Sequence, residues 1–182
     1  MNIKDLPKKI SIFPLSNAIF FPKTILPLNI FEQRYLQLVT DCMKNNKLFG
    51  MIQPKFSKLS KTEVYKVGCL GRITNLIQTK DNRFIISLSG IIRYRIKEEL
   101  KTDKLYREFK VDYSDFVNDL SAEEINGEKY DRVRLLKKIE FFLKKENYLV
   151  EFNEIKKLKF DQLISTICML LPFSAEEKQK LI

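Results

Sequence analysis

The stretch IFPLSNAIFFPKTILPLNIFEQRY, residues Ile12–Tyr35, determines the expected fold because three prolines divide it into short segments. The preceding alternation in Ile10–Phe13 predicts a short strand that stops at Pro14. Thr24–Ile30 also has strand character, but it contains Pro27. Since proline lacks a backbone donor, this second strand is expected at a sheet edge or at a bulge.

An amphipathic helix is expected next. One apolar stripe recurs at helical spacing and predicts the face that packs on the sheet. Its members are Phe31, Tyr35, Leu38, Val39, Cys42 and Met43. Asn29 is the expected N-cap of this helix, and Glu32 is its capping-box partner three residues later.

Short strands are predicted from the end of this helix to about residue 115. Tyr65–Gln78 and Arg83–Ser89 flank a polar turn and predict a hairpin. Ile91–Ile96 alternates again, and Lys104–Tyr113 completes the set. Several short strands with few long connections indicate a closed or nearly closed β-barrel, with the helix packed on it.

The apolar period becomes helical after Asp119, so we expect a barrel over residues 1–119 and a helical bundle over residues 120–182. Residues 130–145 and 153–171 each carry one apolar stripe. The fold class is therefore α+β, with the strands first and the helices last.

Two capping boxes, at Ser121–Glu124 and Ser174–Glu177, predict helix starts in the second half of the chain. The sequence ends soon after the second box. A helix so short is marginal in water when it lies away from a core. We therefore expect that the chain is a truncation of a longer one.

The composition excludes most catalytic chemistry, since the chain contains no histidine among its 182 residues. Histidine nucleophile pairs, proton shuttles and histidine-ligated zinc are excluded together. Cys42, Cys69 and Cys168 are far apart and are expected to be buried thiols in a reducing compartment.

Neither a phosphate-binding glycine loop nor a serine elbow occurs. A Ser-Lys dyad stays open on composition, but no segment looks built to desolvate a lysine. We expect no enzyme activity, catalytic residue, cofactor or metal.

The apolar runs are all shorter than the roughly 18 residues that a membrane-spanning helix needs. The N-terminus is charged and has no apolar core of a secretory signal. These features predict a cytoplasmic protein that does not bind a membrane.

The formal net charge of +10 raises the possibility of nucleic-acid binding. Residues 1–119 contain 21 basic and 12 acidic residues, so most of the excess lies there. However, the chain has 25 lysines and only 8 arginines, and phosphate recognition favours arginine.

Arg93, Tyr94 and Arg95 form either an RNA-stacking platform or a core tyrosine between two solvated arginines. Phe20 and Phe21 form either an exposed partner anchor or a plug at a barrel end.

Three blocks of Ile12–Tyr35 resemble the start of the Lon N-terminal domain family, which opens with F-P-L, then F-P, then P-L-x-I-F-E-x-R-Y. Val67–Gly68 and Gly90–Tyr94 match later family positions. Leu170–Gln179 resembles the stand-alone bacterial members, which lack the ATPase and protease domains.

This resemblance implies a PUA-like β-barrel followed by a helical bundle. It also implies non-enzymatic recognition of unfolded or degron-bearing polypeptides, with an adaptor role in trans and a protease or chaperone as a further partner. RNA binding through the basic PUA-like barrel is the alternative. The partner-binding candidates are Phe20, Phe21, Arg34, Tyr35, Arg93 and Arg95.

Overall fold

The chain divides into two compact units. Unit 1 comprises Met1–Leu120 and Pro172–Ile182, and unit 2 comprises Ser121–Leu171. The structure is a computed structural model, and it describes residues 2–16, 18–55, 63–121, 131–147 and 152–182.

Unit 1 is built on a six-stranded sheet. Its strands and the two short strands of a separate ribbon are β1 (Lys9–Pro14), β2 (Ile25–Ile30), β3 (Leu48–Ile52), β4 (Pro54–Lys55), β5 (Glu63–Val64), β6 (Val67–Gln78), β7 (Phe84–Leu100) and β8 (Arg107–Asp112). The strand order is β2-β7-β6-β3-β1-β8, and β8 also pairs with β7. β1 and β3 are parallel, and the other pairs in the sheet are antiparallel. β4 pairs with β5.

The predicted hairpin is confirmed by the pairing of β6 with β7. β7 continues as one strand through Gly90, where the sequence suggested a break. A Cβ atom on Gly90 would lie 2.0 Å from the carbonyl oxygen of Phe21. The glycine therefore allows the loop before β2 to cross close above the strand.

The helix after β2, α1, spans Gln33–Lys44 and begins later than expected. The N-cap is Glu32, which makes no capping hydrogen bond with its side chain. The predicted N-cap, Asn29, instead belongs to β2 and lies opposite Ile85 of β7. Because the strand ladder extends through Ile30, Phe31 lies outside the helix and is 62% exposed.

The interior of unit 1 is apolar. Tyr94 is completely buried, and its hydroxyl donates to the carbonyl of Met51 at 3.1 Å. The main buried cluster contains Leu6, Ile10, Ile12, Leu48, Ile52, Leu70, Ile92, Tyr94, Phe109, Val111, Tyr113 and Phe116.

The described residues of unit 2 form three helices, α2 (Arg132–Lys145), α3 (Phe152–Lys157) and α4 (Phe160–Leu170). Their shared core consists of Ile139, Leu143, Ile155, Leu163 and Ile167. One helix was expected over residues 153–171, but the structure has two. The Arg132 guanidinium donates to the carbonyls of Lys156 at 2.9 Å and Leu158 at 2.7 Å, which satisfies acceptors that the break leaves free. The capping box predicted at Ser121–Glu124 lies largely outside the described residues.

The last helix, α5 (Ala175–Leu181), belongs to unit 1, whereas the sequence grouped it with the bundle. Its predicted capping box at Ser174 and Glu177 is confirmed. Gln53 donates to the carbonyl of Ala175 at 3.2 Å, and Gln179 donates to the carbonyl of Val67 at 3.1 Å. These contacts with the sheet unit provide support that a helix of this length lacks in isolation.

The large sheet with several helices confirms the expected α+β class. In the parts of the chain that the structure describes, we find no helix with both the length and the apolar character that crossing a membrane requires.

Candidate functional site

Phe20 and Phe21 are buried in the loop before β2. The Phe20 ring lies against Gly71, since a Cβ atom there would be 2.8 Å from its Cε1 atom. The carbonyl of Phe21 accepts a hydrogen bond from the Thr24 hydroxyl at 2.7 Å. The two rings are therefore not an exposed anchor, and both the plug at a barrel end and a role in binding a partner stay predictions.

Arg34 and Tyr35 lie in the first turn of α1, and only Arg34 is exposed. Tyr35 is buried and stacks on Phe13, with 4.0 Å between the ring centroids. The Arg34 guanidinium lies over the Tyr35 ring and donates to Glu32 at 2.7 Å. The contacts of this pair are therefore structural.

Arg93 and Arg95 are bound by carboxylates of unit 1. Arg93 donates to both carboxylate oxygens of Asp119, at 2.7 and 3.0 Å, and this hydrogen bonding raises the pKa of Arg93. Arg95 donates to Asp115 at 2.9 Å. Because Tyr94 is buried between them, the three residues do not form the stacking platform that RNA binding would use. The arginines are also not the freely solvated face of the other interpretation.

The structure reveals an exposed apolar surface that the sequence did not single out. Ile25, Phe31, Ile77 and Ile85 are 66%, 62%, 54% and 44% exposed. Ile85 lies directly opposite Ile77 on β6, and on its other side it lies opposite Asn29 of β2. Since side chains alternate along a strand, the register puts Ile25, Ile77 and Ile85 on one side of the sheet, and Phe31 follows the end of β2 directly. We call this surface the β2 face.

The β2 face adjoins a strand edge. Within the residues described, β2 pairs with β7 alone and ends the strand order. Gly90 of β7 donates to the carbonyl of Thr24 at 2.9 Å, so Thr24 and Gly90 are a hydrogen-bonded pair. Along an antiparallel ladder only every second residue forms such a pair, and the backbone groups of the residues between them point away from the partner strand. It follows that the backbone groups of Ile25, Pro27 and Asn29 point away from β7. Pro27 thus stands where its missing donor costs no ladder bond, and the predicted edge strand is confirmed.

Charged groups at or beside the β2 face include Arg72 and Arg83. Arg72 is exposed and lies opposite Ser89, which on its other side lies opposite Ile25. Arg83 forms an ion pair with Asp81 at 2.7 Å, and its guanidinium lies 5.9 Å from the centre of the Phe31 ring. Elsewhere in unit 1 many basic side chains are also paired. The pairs include Lys9–Glu108, Lys97–Asp112, Lys104–Glu108, Arg107–Glu99 and Lys110–Glu98. The positive charge of residues 1–119 is therefore partly neutralised locally.

The cysteines are not activated for nucleophilic chemistry. Burial raises the pKa of Cys42 to about 12, and its thiol donates to the carbonyl of Leu48 at 3.2 Å. Burial also raises the pKa of Cys69 and, to a smaller extent, that of the half-buried Cys168. Among the described residues, we find no group of three or more histidine, cysteine, aspartate and glutamate side chains that could hold a metal ion.

Comparisons with known proteins agree on one family. Residues 9–182 match the family model described as the ATP-dependent protease La (LON) substrate-binding domain. The Lon protease of Desulfosudis oleivorans is 33% identical over 102 residues, which are 54% of this chain and 12% of that protein. The Lon protease of Syntrophus aciditrophicus is 25% identical over 99% of this chain and 23% of that protein. The chain therefore spans less than a quarter of the length of these relatives.

Solved structures agree with the fold. A Lon N-terminal domain protein from Xanthomonas campestris has a TM-score of 0.65 and 21% identity, over 95% of this chain and 88% of that chain. The N-terminal domain of a Mycobacterium avium complex Lon protease gives 0.65 with 11% identity, over 96% and 89% of the two chains. Because the family model covers nearly all of the sequence, the chain belongs to the Lon substrate-binding domain family.

Proposed function

We propose that this chain recognises extended, apolar polypeptide segments and catalyses no reaction. The observation that carries this proposal is the β2 face, where four large apolar side chains are exposed beside a strand edge. Exposed edges and apolar patches favour association with another chain.

In this proposal, the bound segment adds to the sheet as a further strand alongside β2. Its backbone exchanges hydrogen bonds with the outward groups of Ile25 and Asn29, while Pro27 contributes only its carbonyl. Every second side chain of the segment then contacts the β2 face. Backbone pairing is insensitive to sequence, and apolar contact selects segments that a folded protein would bury. Unfolded or degron-bearing polypeptides offer both a backbone that is free to pair and apolar side chains that are free to make contact.

Membership of the family supports recognition of protein substrates. The matching family model describes the substrate-binding domain of Lon, and the 102 residues aligned with the Desulfosudis oleivorans Lon protease span only 12% of that protein. We therefore extend the proposal to an adaptor role, in which a protease or chaperone in another chain acts on the bound polypeptide. Cytoplasmic location is part of the same proposal.

Peptide-binding measurements on surface variants test the site. The probe is a fluorescein-labelled, uncharged peptide that alternates valine with serine, and its binding is followed by fluorescence anisotropy. The double variant Ile77→Ser and Ile85→Ser removes two exposed side chains from the β2 face. We expect the Kd to rise about tenfold, since each lost apolar contact contributes roughly 0.5–1 kcal/mol. Leu105→Ser is the matched control, because Leu105 is also exposed but is not part of the β2 face.

A second probe tests strand addition itself. The same peptide with alternate residues N-methylated keeps its side chains but loses the donors on one edge. We expect it to bind weakly, and we expect binding of the parent peptide to change little with salt. Equal affinity of the methylated peptide, or an equal loss in the Leu105 variant, contradicts the proposed site.

A further inference from the structure

Helix α2 carries a basic surface on one side. Ile139 and Leu143 lie on the opposite side and are buried in the core of unit 2. At 100° per residue, the exposed positions span an arc of about 140° with no acidic residue in it. They are Val133, Arg134, Lys137, Lys138, Phe141, Lys144 and Lys145. We call this arc the α2 face.

Two apolar side chains lie within the α2 face. Phe141 is 71% exposed and Val133 is 64% exposed, so neither is needed for the core of unit 2. They are eight residues apart, which separates them by about 12 Å, or roughly two helical turns. An ordinary solvated face has no need for an exposed phenylalanine among five cations.

The positive charge of the α2 face is largely uncompensated. Lys144 pairs with Glu140 at 3.0 Å. Counting only residues that the structure describes, Arg134, Lys137, Lys138 and Lys145 make no ion pair. An anionic partner would therefore meet several available cations, whereas a second copy of the same face would be repelled.

The side chains favour a polypeptide over other polyanions. Four of the five cations are lysines, which lack the paired donors with which arginine grips phosphate. Val133 offers an aliphatic contact that suits another apolar side chain better than a phosphate or a base. Insertion into an anionic membrane needs a broad apolar face, and that face of α2 is already buried against the other helices.

We propose that the α2 face binds acidic polypeptide segments, in helical form, that carry two apolar residues about two turns apart. Those apolar residues contact Val133 and Phe141, and the flanking carboxylates lie against Lys137 and Lys138. This adds a second surface and a distinct class of partner to the proposed function, and it rests on that function only in taking the partner to be a polypeptide.

Charge reversal in the whole chain tests the surface. The probe is a fluorescein-labelled helical peptide with leucines seven residues apart, each flanked by glutamates, and its binding is followed by anisotropy. The variant Lys137→Glu and Lys138→Glu is expected to raise the Kd at least about tenfold at physiological salt. The matched control is Lys8→Glu and Lys101→Glu, which changes the net charge equally at exposed sites of unit 1. We expect a change of about twofold or less for that control. Circular dichroism spectra of both variants are compared with that of the unchanged protein to check that they are folded.

The apolar contact is tested separately by Phe141→Ser, which is expected to weaken binding about fivefold without altering its salt dependence. An equal loss in the two charge-reversal variants overturns the proposal, because binding then reflects net charge alone. Tighter binding of single-stranded RNA or of anionic lipid vesicles, lost in the Lys137 and Lys138 variant, also overturns it in favour of that polyanion. The neutral peptide used for the β2 face should bind this variant normally, so failure here is distinguishable from failure of the proposed function.

Discussion

Replacement of Gly90 by alanine should destabilise unit 1 strongly. The added Cβ atom would lie 2.0 Å from the carbonyl oxygen of Phe21 and 3.1 Å from Cα of Pro22. Both obstacles are backbone, so a side-chain rotation cannot relieve them. The loop is held in place because Lys23 donates to Gly90 and Gly90 donates to Thr24, each at 2.9 Å.

The expected cost combines two effects. Overpacking costs about 1–3 kcal/mol, and weakening one of these hydrogen bonds adds about 1 kcal/mol. We therefore expect Gly90→Ala to lower the free energy of unfolding by about 3 kcal/mol and the Tm by roughly 6–12 °C.

Thermal and urea unfolding, followed by near-UV circular dichroism, measures this loss. Five of the seven tyrosines, including the buried Tyr35 and Tyr94, belong to unit 1, so the signal reports mainly on that unit. Ser89→Ala is the control, since it is the preceding position in β7. A Gly90→Ala protein within about 0.5 kcal/mol of that control would refute the argument from close backbone approach.

Three other outcomes are expected. Asp119→Asn should lower the free energy of unfolding by about 1–3 kcal/mol, because this carboxylate accepts three hydrogen bonds from Arg93. Asp115→Asn, which removes the charge from an exposed ion pair, should lower it by less than about 1 kcal/mol. Burial opposes ionisation of Glu108, but its bonds to two lysines hold its pKa below that of an ordinary glutamate, so stability is lost as the pH falls through the lowered value. In urea unfolding at a series of acidic pH values, the free energy of unfolding of Glu108→Gln should therefore fall less steeply with decreasing pH than that of the unchanged protein. Identical slopes would contradict this. Burial raises the pKa of Cys69, so peptide mapping should find this thiol unreacted with iodoacetamide in the folded chain and modified in urea.

The sequence pattern predicted a structural feature correctly where that feature depends on one residue or on its immediate neighbours. Pro27 predicted an edge strand because a missing donor is a property of one residue, and the alternation around Tyr94 correctly favoured its burial. Phe31 shows the limit of this reasoning. Its spacing fitted a helical stripe, but β2 continues through Ile30 because β7 provides a partner far away in the sequence.

The candidate site was less accessible to prediction, because exposure depends on what covers a face. Alternation with Ser87 and Ser89 puts Ile85 on the polar side of β7, but it cannot show that Ile77 of another strand lies beside it and leaves an exposed apolar surface. The partners of Arg93 and Arg95 are also remote in sequence, since both carboxylates lie more than 15 residues later. Sequence reasoning therefore took the two arginines as available, whereas the fold had already paired them.

The division of unit 1 between two separate parts of the sequence has a consequence for how the protein folds during synthesis. Gln179 of α5 contacts a carbonyl 112 residues earlier, and the whole of unit 2 is translated between these two contacts. Unit 2 depends on a continuous segment with its own core, so it can fold as soon as that segment leaves the ribosome. The strands of the unit 1 sheet are all translated before unit 2, whereas α5, which packs on unit 1, is translated after it. During that interval Gln53 lacks its acceptors on α5, so the surface of unit 1 that α5 covers in the finished fold stays open to solvent.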